Sequence, residues 1–199
     1  MDDSSTSYIE NAIPLKIAVL GQSMVGKSAI TFRFIKNKFP TQHDTTIEDA
    51  YSVPAKVDGI QCNLEILDTA GQDDYQTMLD TWISSVDGFI LVYSIDNKKS
   101  FESIQSRYER ILRIKNTKTF AIIIVGNKCD LEDNRQVNRE EAENYSNEKK
   151  IYFLETSALK MINIKEVFLY LTRELLKIKF PEKYKKKDDI KVKKSCFCF

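Results

Sequence analysis

Glycine, histidine, cysteine and long apolar stretches are all scarce in this 199-residue chain, and each scarcity removes a class of protein. The longest strongly apolar run, Phe120 to Val125, falls far short of the ~20 residues that cross a bilayer, and the N-terminus has no basic segment leading into an apolar one. The chain is therefore expected to be made and kept in the cytosol. Four cysteines, at 62, 129, 196 and 198, show no C-x-x-C spacing, so neither a disulfide framework nor a zinc site fits, and the terminal C-x-C offers two of the four ligands a metal would want. The single histidine, His43, reads as a solvated residue and not as a general base. Neither sign of charge dominates: 30 Lys and Arg face 29 Asp and Glu, a balance that gives no support to a nucleic-acid partner.

What is present suits one compact domain. Apolar residues make up 42 % and aromatic residues 11 %, enough for a sizeable core and too much for a disordered chain. Charge is uneven at the ends. Residues 1–14 carry Asp2, Asp3 and Glu10 with no base and read as a flexible arm ending at Pro14, whereas 179–194 carry eight Lys against Glu182, Asp188 and Asp189.

Between these ends, strand and helix signals alternate. Leu15 to Leu20 reads as a buried strand, broken by Gly21 and followed by helical spacing over Lys27 to Lys36. Asp49 to Val57 and Ile60 to Leu67 flank Asp58-Gly59, a strong hairpin signal, and Pro54 pushes the first of these strands to a sheet edge because proline donates no ladder bond. Phe89 to Ile95 and Phe120 to Val125 read as buried strands around an amphipathic stretch, Ser100 to Lys115, with Ile104, Tyr108, Ile111 and Leu112 on one stripe. A helix from Arg139 to Lys149, a strand from Ile151 to Leu154 and a helix from about Ile164 to Ile178 complete an α/β pattern. A mostly parallel sheet with helices on both faces places ligands beyond the carboxyl ends of its strands, at the loops after Leu20, Leu67 and Val125.

The first of those loops, Gly21-Gln22-Ser23-Met24-Val25-Gly26-Lys27-Ser28, fits G-x-x-x-x-G-K-[ST] between a strand and a helix. Backbone N–H groups of such a turn converge on one concavity, and glycine lets the main chain approach a phosphate closely. Lys27 would neutralise β- and γ-phosphates, and the Ser28 hydroxyl would hold Mg²⁺, which prefers oxygen ligands. With six glycines in the chain against ordinary usage of about 7 %, a chance match is rare. In the third loop, Asn127-Lys128-Cys129-Asp130, the Asp130 carboxylate can accept from the adjacent N1–H and N2–H₂ of guanine, while adenine would leave its charge unpaired. In the second, Asp68-Thr69-Ala70-Gly71-Gln72, the acid is placed for Mg²⁺ through water, the Gly71 N–H for a γ-phosphate and Gln72 for the attacking water.

On these residues the chain resembles the small GTPases, and among them the Ras family. The resemblance runs from about Leu15 to Ile178 through five ordered motifs: the phosphate loop, Thr46-Ile47-Glu48-Asp49 with Tyr51, Asp68 to Gln72, Asn127 to Asp130, and Thr156-Ser157-Ala158. It implies a GTPase domain over 15–178, with a six-stranded, mostly parallel sheet carrying one antiparallel edge strand and helices on both faces. It also implies a GTP phosphohydrolase that binds GTP or GDP with Mg²⁺ and is slow without an activating partner. The nucleotide contacts it implies are Gly21, Ser23, Met24, Val25, Gly26, Lys27, Ser28 and Ala29, then Phe39 packed on the base, Thr46, Gly71, Asn127, Lys128 over the base, Asp130, Ser157, Ala158 and Leu159. Ser28, Thr46 and Asp68 would be the metal ligands, and Gln72, Lys27 and Thr46 the catalytic set. Two switch segments are implied, about Phe39 to Asp49 and Asp68 to Met78, with Glu48, Asp49 and Tyr51 as the face that effectors read.

The chain departs from the family pattern at Ser23 and Met24, where many members carry glycines, and at His43 and Thr45. Side chains at 23 and 24 enter the loop beside the γ-phosphate, where they would hinder an arginine supplied by a GTPase-activating protein. At the other end, Cys196-Phe197-Cys198-Phe199 has the C-a-a-X form, and its terminal Phe points to geranylgeranyl on Cys196, added by a prenyltransferase. One lipid chain holds a membrane reversibly, and Lys185 to Lys187 with Lys191, Lys193 and Lys194 supply a second, polybasic signal for an anionic leaflet. The polybasic, lipidated tail, 179–199, is thus expected to hold the protein at the cytoplasmic face of a membrane, the plasma membrane first among them. Effectors, an exchange factor and an activating protein are the implied partners. Two other readings stay open here: a GTP-binding module that scarcely turns over, and a P-loop kinase, which the absence of an Arg-rich lid and the Asn127 to Asp130 motif disfavour.

Overall fold

The computed structural model describes residues 12–39, 48–69, 76–116 and 119–184. Its elements follow in the order β1 (Ile13–Leu20), α1 (Lys27–Lys36), β2 (Glu48–Val57), β3 (Ile60–Thr69), α2 (Gln76–Ser85), β4 (Gly88–Ser94), α3 (Lys98–Lys115), β5 (Ala121–Asn127), α4 (Arg139–Lys149), β6 (Tyr152–Glu155) and α5 (Ile164–Lys179). The strands form one six-stranded sheet in the order β2-β3-β1-β4-β5-β6. β2 and β3 pair antiparallel, and every other pair is parallel.

The central strands are apolar along their whole length because both sheet faces are covered. Alternate residues of β1 divide between two cores: Leu15, Ile17 and Val19 pack with α1 and α5, and Ala18 and Leu20 pack with α2, α3 and α4. Phe34 of α1 stacks on Phe168 of α5 with ring centroids 3.9 Å apart, which fixes the helix that the phosphate loop opens. Removing the fully buried Phe168 ring would cost about 3–5 kcal/mol.

The hairpin forms as its turn residues require. Asp58 and Gly59 have φ of 51° and 85°, two successive left-handed residues that match the twist of the β2–β3 ladder. Arg173 Nε and Nη2 of α5 donate to Asp58 Oδ2 and Oδ1 at 2.9 and 3.2 Å, tying the turn to the last helix. Pro54 lies opposite Asn63 on the outermost strand, where its missing N–H faces no neighbour.

Three differences from the sequence expectation have physical causes. β1 starts at Ile13, not Leu15, and so includes Pro14. The β1–β4 ladder begins only at Ile17, so β1 at Pro14 is paired with β3 alone and one side of the strand needs no donor. Helix α2, absent from the sequence expectation, forms by burying Leu79, Trp82 and Ile83 on one face. On α3, Ile104, Tyr108 and Ile111 face the core as expected, but Leu112 is 45 % exposed, and Arg107 lies half-buried beside the stripe with its Nε shielded from solvent.

Candidate nucleotide site

The loop between β1 and α1 is built on a glycine that no other residue replaces. Gly26 precedes the helix at φ 94°, and a Cβ there would lie 2.3 Å from Asn127 Nδ2. A Cβ on Gly21 would lie 2.2 Å from the Val92 carbonyl oxygen of β4. The loop is thus pressed against β4 and against the end of β5, beyond the carboxyl end of central strand β1. Met24 takes φ 65°, a left-handed conformation that costs a non-glycine residue roughly 1 kcal/mol, and its side chain is 73 % exposed. Val25 is buried in the core beneath the loop, as is Ala29 one turn on.

Charge in this loop is held out of water. Lys27 is 6 % exposed and its Nζ donates to the Gln22 carbonyl at 2.8 Å. Burial lowers its amine to about 8; Asp68 nearby opposes that shift, and the guanidinium of Arg107 on α3 adds to it. Asp68, near the end of β3, is 1 % exposed, and burial raises its carboxyl to about 6 against the pull of a hydrogen bond from Ser28 and the charge of Lys27. Its Oδ1 is buried with no hydrogen-bond partner among the described residues. The next residue, Thr69, is satisfied: its Oγ1 donates to the Val19 carbonyl at 2.9 Å.

The loop after β5 is knitted to the phosphate loop by one side chain. Asn127 Nδ2 donates to the Val25 carbonyl at 2.9 Å, while Asn127 Oδ1 accepts from Thr156 Oγ1 at 3.1 Å and from the Ala158 N–H at 3.4 Å. Lys128 follows at φ 64°, and Cys129 N–H donates to the Thr156 carbonyl at 2.9 Å. Ser157 Oγ donates to Asp130 Oδ1 and accepts from the Lys160 N–H at 2.9 Å. Behind them, Arg135 bridges to Glu155 with two contacts of 2.7 and 3.0 Å, holding the strand that delivers Thr156 and Ser157. Leu159 stands 55 % exposed at the rim, and Phe39 is 38 % exposed two residues past the α1 cap, Asn37.

The structure therefore gathers Gly21 to Ala29, Asp68, Asn127 to Asp130 and Thr156 to Leu159 at one end of the sheet. Asp49 and Tyr51 lie on edge strand β2, Asp49 opposite Asp68; Asp49 is exposed and Tyr51 is half-buried, its hydroxyl pKa raised by burial and then by Asp49. Glu48 opens that strand, and its side chain lies outside the described residues. Thr46, Gly71, Gln72, His43, Thr45, Cys196 and the lysines from Lys185 onward also lie outside them. Sequence reasoning missed Asp96, two residues beyond β4, whose Oδ2 is 3.5 Å from Lys128 Nζ, and missed Arg107. A lone acid after a strand and a lone cation on a helix stripe carry no motif.

A glycine-bounded turn that opens a helix behind a buried lysine, beside a strand-terminal acid and a second loop of hydrogen-bonding side chains, defines a nucleoside-triphosphate-binding α/β domain. Residues 16–177 match the Ras family. The chain is 44 % identical over 172 residues to Ras-like protein rasB of Dictyostelium discoideum, covering 86 % of this chain and 87 % of that one. The chain belongs to the Ras family of small GTPases and is a GTP hydrolase that binds guanine nucleotide. The six-stranded, mostly parallel sheet and its single antiparallel edge strand are those the resemblance implied.

Proposed function

We propose that the chain is a slow molecular switch, tethered to a membrane through its C-terminal tail, that binds effectors in its GTP state. The observation that carries this reading is the pairing of a buried ammonium, Lys27, with a buried carboxylate oxygen, Asp68 Oδ1, that has no donor among the described residues. Buried charges and polar atoms of this kind are costly unless a ligand meets them. A triphosphate oxygen suits the ammonium, and a hydrated divalent cation suits the carboxylate, so the donor set fits GTP with Mg²⁺.

In this reading Lys27 and the N–H groups from Gly21 to Ala29 hold the β- and γ-phosphates. Ser28, Thr46 and Asp68 hold Mg²⁺, which supplies charge neutralisation at the phosphate oxygens. Gln72 orients the attacking water, with Thr46 and the Gly71 N–H beside it. Asp130 reads the guanine edge, Asn127 locks the two loops together, Phe39 and Lys128 flank the base, and Ser157, Ala158 and Leu159 close its carbonyl side. The guanidinium of Arg107 on α3 adds positive charge near Lys27; transition-state charge is met mainly by Lys27 and by an activating partner. Met24, exposed in the loop, would in this reading obstruct that partner's arginine and weaken assisted hydrolysis.

Effectors with basic surfaces would meet Glu48, Asp49 and Tyr51 on the β2 edge. Prenylation of Cys196 and the lysines before it would hold the chain at the cytoplasmic face of the plasma membrane, and no described helix is long and apolar enough to cross a membrane. An exchange factor completes the cycle.

The exposed Met24 also favours a second reading, a GTP-binding module that scarcely turns over. Chromatography of nucleotide released from the purified chain, with single-turnover hydrolysis by wild type and Gln72→Leu, decides between them. Mostly GDP, and hydrolysis slowed at least tenfold by the substitution, supports the switch. Mostly GTP supports the module, and equal hydrolysis rates remove Gln72 from the mechanism.

A further inference from the structure

Strands β4 and β5 run side by side to their carboxyl ends, with Ser94 opposite Asn127. The two chains then leave the sheet as neighbours. One delivers Lys128 and the other delivers Asp96, and the ammonium and carboxylate stand 3.5 Å apart, each side chain about one-quarter to one-third exposed. We infer that Asp96 is a positioning residue for guanine-nucleotide retention, holding the Lys128 ammonium in the place from which it covers the base. This rests on the reading of Lys128 given above.

The carboxylate is itself fixed. Its Oδ1 accepts from the hydroxyl of Ser94, a residue 1 % exposed. The Ser94 N–H donates to Ser100 Oγ at 3.0 Å, the Ser94 carbonyl accepts from the Asn97 N–H at 3.0 Å, and the Ile95 N–H donates to the Asn127 carbonyl at 3.0 Å. Asn97 in turn caps α3, its side chain accepting from the Ser100 N–H. The carboxylate therefore stands on a turn bound to both β5 and α3. A lysine side chain has four rotatable bonds and loses much freedom when it is placed over a ligand. An acid that already restrains it removes part of that loss and slows dissociation.

Two effects of opposite sign compete. Asp96 also adds negative charge near an anionic nucleotide, which by itself would speed release. That repulsion acts through partly exposed groups and is screened over roughly 8–10 Å at ordinary salt, whereas the contact with Lys128 is direct. Restraint should win, by about two- to fivefold in release rate, the size expected for a partly exposed ion pair.

The test uses the full chain loaded with a fluorescent GDP analogue and Mg²⁺, chased with excess GTP. Asp96→Asn keeps an acceptor for Ser94 and removes the charge. Expected are faster release from Asp96→Asn, by about two- to fivefold, a larger acceleration from Lys128→Met, and a double variant no faster than Lys128→Met alone. Release at or below the wild-type rate from Asp96→Asn, or an equal acceleration by Asp96→Asn in the Lys128→Met background, overturns the role of Asp96 alone. A wild-type rate from Lys128→Met overturns the base-site reading and the inference with it. If Asp96→Asn does not fold, Ser94→Ala, which frees the carboxylate but leaves the ion pair's charges, should accelerate release in the same direction and by less; no acceleration counts against the inference.

Discussion

The two halves of the nucleotide site are held in opposite ways. On the base side, Asn127 has three buried hydrogen bonds, Asp130 is bonded to Ser157, and Lys128 faces Asp96. On the phosphate side, Lys27 is buried with one carbonyl partner, Asp68 keeps a buried oxygen without a donor among the described residues, and Met24 sits in a left-handed conformation. The base half is satisfied before any ligand arrives, while the phosphate half is costly until one does. Polar groups placed to meet a ligand's charge cannot also be paired internally, so a tight triphosphate site is by construction a source of instability in the empty protein.

The seam between the halves is where the contrast is easiest to break. Gly26→Ala would place a methyl group 2.3 Å from Asn127 Nδ2 on a residue that must keep φ 94°. At about 3 kcal/mol or more of combined strain and collision, nucleotide retention should fall roughly 100-fold, read as release of a fluorescent GDP analogue. Retention within a few-fold of wild type would show that the loop moves aside and that the halves are not pressed together.

The base half should lose stability on its own account. Asn127→Ala removes the donor to Val25 and the acceptor for Thr156 and Ala158, all buried, and should lower unfolding free energy by about 2–3 kcal/mol even with nucleotide stripped away. Urea unfolding of the stripped protein measures it. A loss under about 0.5 kcal/mol would mean that the base half needs its ligand as much as the phosphate half does.

The phosphate half should instead reveal itself by titration. The Lys27 amine is lowered by burial to about 8 from 10.5, so its contribution to stability is present above 10.5 and lost as pH falls through 8. The Asp68 carboxyl is raised by burial to about 6 from 3.8, so its contribution is present below 3.8 and lost as pH rises through 6. The nucleotide-free protein should therefore have a minimum in stability between pH 6 and 8, each side sloping by at most about 1.4 kcal/mol per pH unit. Loading with GDP and Mg²⁺ should flatten it. A minimum that persists unchanged in Lys27→Met and Asp68→Asn would assign it to other groups.

The same division describes what was legible in the chain. The hairpin at Asp58-Gly59, the edge position of the Pro54 strand and the helix at 27–36 could be read because each depends on neighbours in sequence: turn residues with positive φ, a missing N–H, apolar residues at helical spacing. The motif residues at the ends of β1, β3 and β5 were legible for a similar reason, since residue types at fixed spacing carry them. Helix α2 was not read from the sequence although it is no less amphipathic than α1 or α4, and Leu112 was misplaced because it directly follows Ile111 and so lies about 100° round the helix from it, at the margin of the stripe.

By itself the sequence determined the order of the six strands and of every helix but α2, the phosphate loop and the family to which the chain belongs, because those follow from local stereochemistry and from spacing along the chain. Tertiary structure decided that Gly26 lies against Asn127, that Lys27 and Asp68 are buried together, and that Asp96 faces Lys128. Burial and charge proximity are properties of surfaces brought together from distant parts of the chain, and they set the state of an ionisable group more strongly than its neighbours in sequence do.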